Sequence, residues 1–352
     1  MNIESFHQKL CMPAEWEAHT ATLLSWPSNK ETWPGERLER VEKVYLEIIE
    51  NLSRFEDILL LVETTEIQKK VEQLLIEKGI DSSGVHIKVC SINDVWARDY
   101  GPIFVKEDDK FVITDWEYNA WGEKYPPWDS DNKIPAFIAE SFDIDHIKTN
   151  IILEGGSIDV NGSGDLLTTE SVLLNSNRNA GLNKIEIEQN LRRYLGIENI
   201  IWLKSGLAGD DTDGHIDDLT RFLNEDTVLT MICEDKTDVN YEALQENLEI
   251  LRSAKLANGK SLKIETLPLP NTEIEGTTVD GSENVPASYA NFYIANGCVL
   301  IPLYDKRYDQ EALNLFKEYF PTREIIGIEC SDLVWGQGSI HCITQQLYSN
   351  IE

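Results

Sequence analysis

Five times along this chain, a polar or glycine-bearing cluster runs into a short strand-like stretch. In four of them a tight turn and a second strand follow: "RDYGPIFVKEDDKFVITD", "EGGSIDVNGSGDLLTTE", "GHIDDLTRFLNEDTVLTM" and "NFYIANGCVLIPLYD". The turns "EDD", "NGSG", "NED" and "NG" carry the residues that hairpins favour. "GSIHCITQQL", near the C-terminus, opens a fifth unit. The leading polar residues are Asp99, Glu154, His215, Asn291 and Cys342, at intervals of 55, 61, 76 and 51 residues. A recurrence of this kind predicts repeated β-β-α-β units. Units that close around an axis would deliver each leading residue to a shared centre. That is an arrangement for one domain, residues 1–352, rather than two.

Between these clusters, helical and β-rich stretches alternate. Apolar residues at intervals of three and four predict helices over 36–53, 65–78, 185–195, 239–255 and 310–319. β-Branched runs predict strands at 57–63, 85–90, 199–204, 262–269 and 324–330. Alternation places the chain in the α/β class. An apolar fraction of 41% and nine tryptophans suffice for a folded core.

Charge narrows the partners. Sixty-two acidic residues against 31 basic ones give a net charge of −31. A field of that sign repels nucleic-acid phosphates and concentrates cationic small molecules. No stretch approaches the length of about 18 apolar residues that a membrane span needs. The opening "MNIESFHQKLCMP" lacks a basic segment followed by an apolar one. The expectation is therefore a cytoplasmic protein without membrane partners. Six dispersed cysteines with no C-x-x-C pair argue for free thiols and against structural zinc. Assembly into a homo-oligomer stays open.

The candidate chemistry lies in the leading residues and their neighbours. "GDDTDGHIDDLTRF" looks like a calcium loop, but with Gly214 at the loop's glycine position, Gly209 and Thr220 fall where acidic ligands are required. If 215–222 is a strand, His215 and Asp217 share a face and can meet one ligand. The bland alternative is an Asp-rich surface loop. Arg98 and Asp99 read equally as a salt-bridged corner, and Glu154, before two glycines, as a solvated strand end. In "WGQGSIHCITQQL" the strand alternation sends His341 to the face opposite Cys342. A nucleophilic Cys342 would then find its base at a distance, His215 being the candidate.

Taken together, the motifs resemble the agmatine deiminase and bacterial-type peptidylarginine deiminase family, within the guanidino-group-modifying superfamily. The matching stretches are "MPAEWEAHTATLLSWP", "WARDYGP", "NAWGEKYPPWDSD", "EGGSIDVNGSG", "LLTTESVLLNSNRN", "GDDTDGHIDD", "ASYANFYIANG" and "GSIHCITQQ". The resemblance implies a five-bladed pseudo-symmetric α/β propeller of ββαβ units. It implies Cys342 as nucleophile, His215 as general acid/base, Asp99 and Asp217 as the carboxylates that grip a guanidinium, and Glu154 as the acid that orients the histidine. Asn291 matches an active-site asparagine. Trp96 and Trp121 are candidates to line a substrate tunnel or to fill core. Asp211 and Glu15 are candidates for the distal ammonium, and Gly338 gives room for a flat guanidinium beside the thiol. No metal and no organic cofactor is implied.

The leading functional expectation is hydrolysis of agmatine to N-carbamoylputrescine and ammonia through an S-amidino-cysteine. The alternatives are deimination of free arginine or peptidyl-arginine, a non-catalytic guanidine or polyamine binder, and amidino transfer to an amine. Gln337 interrupts a glycine run that many relatives carry before "IHC". Tyr348 stands where proline often follows "QQ", and "NKETWPGE" departs from the longer version of that stretch. These changes bear on the substrate rather than on the chemistry.

Overall fold

All four expected hairpins form in the computed structural model, which describes residues 10–272, 277–278, 281–282 and 284–351. Ile103–Glu107 pairs antiparallel with Lys110–Glu117, Asp159–Val160 with Asp165–Thr169, Thr220–Asn224 with Thr227–Ile232, and Tyr293–Ile294 with Cys298–Leu303. Each hairpin is followed by a helical segment and a parallel edge strand: His146–Ile152, Asn199–Leu203, Lys263–Pro268 and Glu324–Glu329. The result is a mixed α/β protein whose described residues form five separate small sheets.

The fifth sheet departs from expectation. "GSIHCITQQL" does not begin a hairpin with the residues that follow it. Its strand, Gln345–Leu347, pairs antiparallel with Ala21–Ser25 from the other end of the chain. Ala21–Ser25 then runs parallel to Asp57–Val62, and that strand parallel to Val85–Val89. A further short strand, Leu10–Cys11, pairs with Ile103–Glu107 and widens the first sheet.

Local sequence explains the helices. Arg37–Leu52 buries Val41, Tyr45, Leu46, Ile48, Ile49 and Leu52 on one stripe, as a helix packed on one side must. Thr65–Lys78 starts where the Thr64 side chain accepts from the Ile67 amide and stops at left-handed Gly79. Lys184–Leu195 is opened by a reciprocal Asn183–Glu186 capping box and closed by left-handed Gly196. Tyr241–Ser253 and Asp309–Tyr319 complete the set read from periodicity. Apolar residues between helices and sheets form four clusters, and the largest, around the fifth sheet, reaches Cys342 itself. Among the described residues no helix is long and apolar enough to cross a membrane.

In every unit the leading residue sits in a tight segment just before the first strand of its sheet. Asp99 is in the single turn Ala97–Tyr100, and Glu154 and His215 directly precede the short 3₁₀ turns Gly155–Ser157 and Ile216–Asp218. Asn291 precedes Tyr293–Ile294, and Cys342 lies in a turn before Gln345–Leu347. Residues 215–218 are therefore not a strand, nor is the region around Cys342. The His215–Asp217 and His341–Cys342 relationships are set by turns, not by pleating.

Candidate active site

The leading residues converge. His215 Nδ1 lies 3.6 Å from Asp99 Oδ1 and 3.9 Å from Asp217 Oδ1. Cys342 Sγ is 3.8 Å from Asp217 Oδ2. Asn291 gives its Nδ2 to Cys342 Sγ at 3.1 Å and to Asp218 Oδ1 at 2.9 Å, while its Oδ1 accepts the His341 amide at 2.9 Å. Gly156 shows how tightly the groups are drawn in. A methyl on its α-carbon would stand 2.6 Å from Asp99 Oδ1, 2.7 Å from His215 Nδ1 and 3.1 Å from Asp217 Oδ2. Only glycine fits there.

Asp99 is buried and does not pair with Arg98, so the salt-bridged corner is not what forms. Its Oδ1 accepts the Gly156 amide at 3.0 Å and its Oδ2 accepts Trp121 Nε1 at 3.0 Å. The backbone that aims Trp121 is strained. Ala120, Trp121, Gly122 and Glu123 have φ of 49°, 56°, 92° and 66°, four consecutive residues in the left-handed region. Such conformations cost on the order of 1–3 kcal/mol each for residues other than glycine, and they collect at ligand sites. Trp96 packs edge-on against Trp121 with ring centres 6.2 Å apart. It also lies so close to Gly338 that a Cβ there would meet the Trp96 ring at 2.2 Å.

Glu154 is fully buried rather than solvated. Its Oε1 accepts Arg178 Nε at 2.6 Å, and Arg178 in turn reaches Asp213 at 2.6 Å. Arg178 stands in the stretch "LLTTESVLLNSNRN" but was not singled out from sequence. The signal for it is indirect: a buried carboxylate needs a cation or several donors. Glu15 is likewise buried, behind the site and not at the amine end of a substrate. Its Oε2 lies 2.9 Å from His341 Nε2, 2.9 Å from Arg221 Nη2 and 3.4 Å from Arg98 Nη2. His341 spans onward to Asp217 Oδ2 at 2.7 Å.

These neighbours set the charges. For Asp217, burial is the largest influence and works upward, but the bond and charge from His341, together with His215 and Arg221, outweigh it and hold the carboxyl below its usual range. Burial is also the main influence on Asp99 and lifts it to about 6; His215 works against that rise, and Asp217 and Glu154 add to it. For His215, burial works downward but Asp99, Asp217, Glu154 and Asp210 prevail, so the imidazolium is favoured. The Cys342 thiol is pushed well up, first by burial and then by Asp217, Asp218 and Asp99. Asp218 is also raised well above the carboxylate range, by burial and by Asp217 and Asp210.

Asp99 and Cys342 face a cavity of about 600 Å³ whose wall also includes Trp96, Trp121, Gln337 and Gly338. Both tryptophans therefore line the cavity as well as pack together. Further along that wall, Asp211 accepts from Tyr125 Oη at 2.5 Å. Asp217 and Asp218 lie near enough to Cys342 that one donor atom from each of the three falls within 4.8 Å of the others.

The site is thus a buried thiol beside two carboxylates and an imidazolium, on a protein of five ββαβ-like sheets. The model of the Porphyromonas-type peptidyl-arginine deiminases matches residues 11–347. The chain belongs to that family. An agmatine deiminase of Medicago truncatula is 36% identical over 98% of each chain. The solved agmatine deiminase of Enterococcus faecalis has a TM-score of 0.88 at 33% identity, covering 97% of this chain and 96% of its own. The C. jejuni agmatine deiminase, solved with substrate bound, has a TM-score of 0.87 at 31% identity over the whole of both chains.

Proposed function

We propose that this protein is an agmatine deiminase that hydrolyses the guanidinium of agmatine to N-carbamoylputrescine and ammonia, with Cys342 as nucleophile. The observation that carries the reading is the meeting of Asp99, Asp217, His215 and Cys342, with Asp99 and Cys342 on the wall of an acidic cavity and with Asp217 Oδ1 and His215 Nε2 buried without a hydrogen-bond partner among the described residues. A planar cation with paired N–H donors suits two carboxylates. Its entry supplies the positive charge that the raised Cys342 thiol lacks, so the thiol sheds its proton to solvent through the cavity and becomes nucleophilic.

The steps follow from those positions. The Cys342 thiolate adds to the guanidinium carbon, forming the C–S bond. The His215 imidazolium gives its proton to one nitrogen, the C–N bond breaks and ammonia leaves, so that a cationic S-amidino-cysteine remains. Neutral His215 then takes a proton from a water whose oxygen adds to the same carbon. The C–S bond breaks as the carbonyl forms, the thiolate is restored, and the proton of the new hydroxyl leaves with ammonia as ammonium. Glu154, held by Arg178, adds negative charge toward His215 and keeps it protonated for the first half. Asn291 donates to the sulfur and steadies it.

The lining favours a dication over a zwitterion. Glu31, Glu63, Asp94, Asp99, Asp131 and Asp211 face the cavity, against Lys30 and Lys124. Lys124 is itself tied to Asp213 at 2.8 Å. Asp211 is the residue we assign to the distal ammonium. On the same reading the five sheets are blades of one pseudo-symmetric propeller, a single catalytic domain, and the six free thiols suit a reducing cytoplasm. The deciding assay incubates the purified protein with agmatine, arginine and an arginyl peptide, following ammonia and ureido product separately. Agmatine is expected to give the highest kcat/KM. A preference for arginine would refute the assignment.

A further inference from the structure

We propose that His341, clamped between Asp217 and Glu15, is a positioning residue that fixes the guanidinium-facing carboxylate of Asp217. Adjacent residues of one turn do two jobs: Cys342 faces the cavity, while His341 faces the buried shell behind it. The inference rests on the deiminase reading of the site, although neither the spacing of residues nor that reading assigns a task to His341.

The geometry carries it. His341 Nδ1 stands 2.7 Å from Asp217 Oδ2, and Nε2 stands 2.9 Å from Glu15 Oε2. An ionised carboxylate only accepts, so each ring nitrogen must donate to satisfy its partner. The ring is almost wholly buried, with both nitrogens turned onto carboxylates. With Oδ2 occupied by His341, the other oxygen, Oδ1, is left without a hydrogen-bond partner, on the side where His215 lies 3.9 Å away. Asp217 is thereby divided into a held oxygen and a free one. The free one is what a substrate N–H can claim.

The shell behind His341 makes the clamp rigid. Glu15 Oε1 accepts the Ile294 amide at 2.7 Å, while Oε2 meets Arg221 and Arg98 as well as His341. Arg221 is anchored by Asp159 at 2.8 Å and by the Phe292 carbonyl at 2.8 Å. Arg98 reaches Gln346 at 3.0 Å and the His341 carbonyl at 3.4 Å. Each member of the chain Asp217–His341–Glu15–Arg221–Asp159 is buried, and the members between its two ends are each paired in both directions. Asp217 Oδ2 is also the oxygen that Cys342 Sγ approaches at 3.8 Å. One carboxylate oxygen therefore gauges both the nucleophile and its neighbour in sequence.

The experiment compares two alkylating reagents of one shape and different charge, 2-chloroacetamidine and 2-chloroacetamide, as inactivators of the full-length protein. The cationic amidine needs a correctly turned Asp217; the neutral amide does not. His341→Ala is expected to lower the amidine-to-amide ratio of inactivation rates by about tenfold or more, the usual cost of removing a hydrogen-bonded support behind an active group. His341→Asn, whose amide can still donate to Asp217, should recover most of that ratio. If both reagents slow in parallel in His341→Ala, or neither slows, the residue only fills space and the proposal is wrong. Should His341→Ala fail to fold, Glu15→Gln tests the same clamp, and an unchanged ratio there overturns it. A wild-type protein that does not distinguish the reagents would instead remove the guanidinium grip by Asp99 and Asp217, which is the failure of the functional reading and not of the clamp.

Discussion

Two sets of charged residues flank Asp217, and they are built on opposite rules. On the cavity side, Asp99, Asp217 Oδ1, His215 Nε2 and Cys342 crowd together with few partners, and the groups are pushed from their ordinary titration ranges. On the far side, Glu15, His341, Arg98, Arg221 and Asp159 are just as buried but interlocked by ion pairs. Glu15 shows the contrast. Burial alone would raise it, yet Arg221, His341 and Arg98 hold it well below the carboxylate range. Polar groups with unmet hydrogen bonds lie on one side, and interlocked ones pack behind them on the other.

Substitutions on the two sides should therefore fail differently. The largest effect is expected at Cys342. Cys342→Ser should lower turnover by at least about a thousandfold, as removal of a nucleophile does, while thermal unfolding and agmatine binding stay near wild type. Near-normal turnover would remove the sulfur from the chemistry and dissolve the contrast. On the far side, Arg221→Met should cost about 3–5 kcal/mol of stability, because it leaves Asp159 as a buried charge without its cation and takes one of three cationic partners from Glu15. Denaturant unfolding measures it, and a loss below about 1 kcal/mol would mean that the interlocked shell is not what holds the site. The mildest test uses pH. Asp99 must be ionised to grip a guanidinium, and its carboxyl lies at about 6 in the free protein. Since the active form is the deprotonated one, kcat/KM should fall about tenfold per unit as pH drops below that value and level off above it. A profile flat down to pH 4.5 would mean Asp99 is not on the unmet side at all.

Much of the frame was legible from periodicity. The five long helices and the five expected strands fall within a residue or two of their expected bounds, because each buries one stripe or face and repeats its spacing accordingly, while the parallel strand His146–Ile152 was not anticipated. The leading residues were legible for a related reason: the repeat brings equivalent positions together. What escaped were the contacts outside the leading residues that depend on a turn or on two distant units. His341 was assigned to an idle strand face, whereas the turn it occupies carries its ring onto Asp217. Arg178 and Arg221 gave no local signal, since the carboxylates they neutralise lie 24 and 62 residues away, at Glu154 and Asp159. Glu15 sits in a quoted motif and was a candidate for the substrate's distal ammonium, whereas it is buried against His341, Arg221 and Arg98. Only burial reveals which acids need cations.

The join between Ala21–Ser25 and Gln345–Leu347 has a temporal meaning. The two strands are separated by nearly the whole of the described chain, so their sheet closes only after the intervening units have been made, and pairing across such a separation is intrinsically slow. Cys342 lies three residues before that late strand. The segment that carries Cys342 is therefore fixed in place only once these two distant strands have paired.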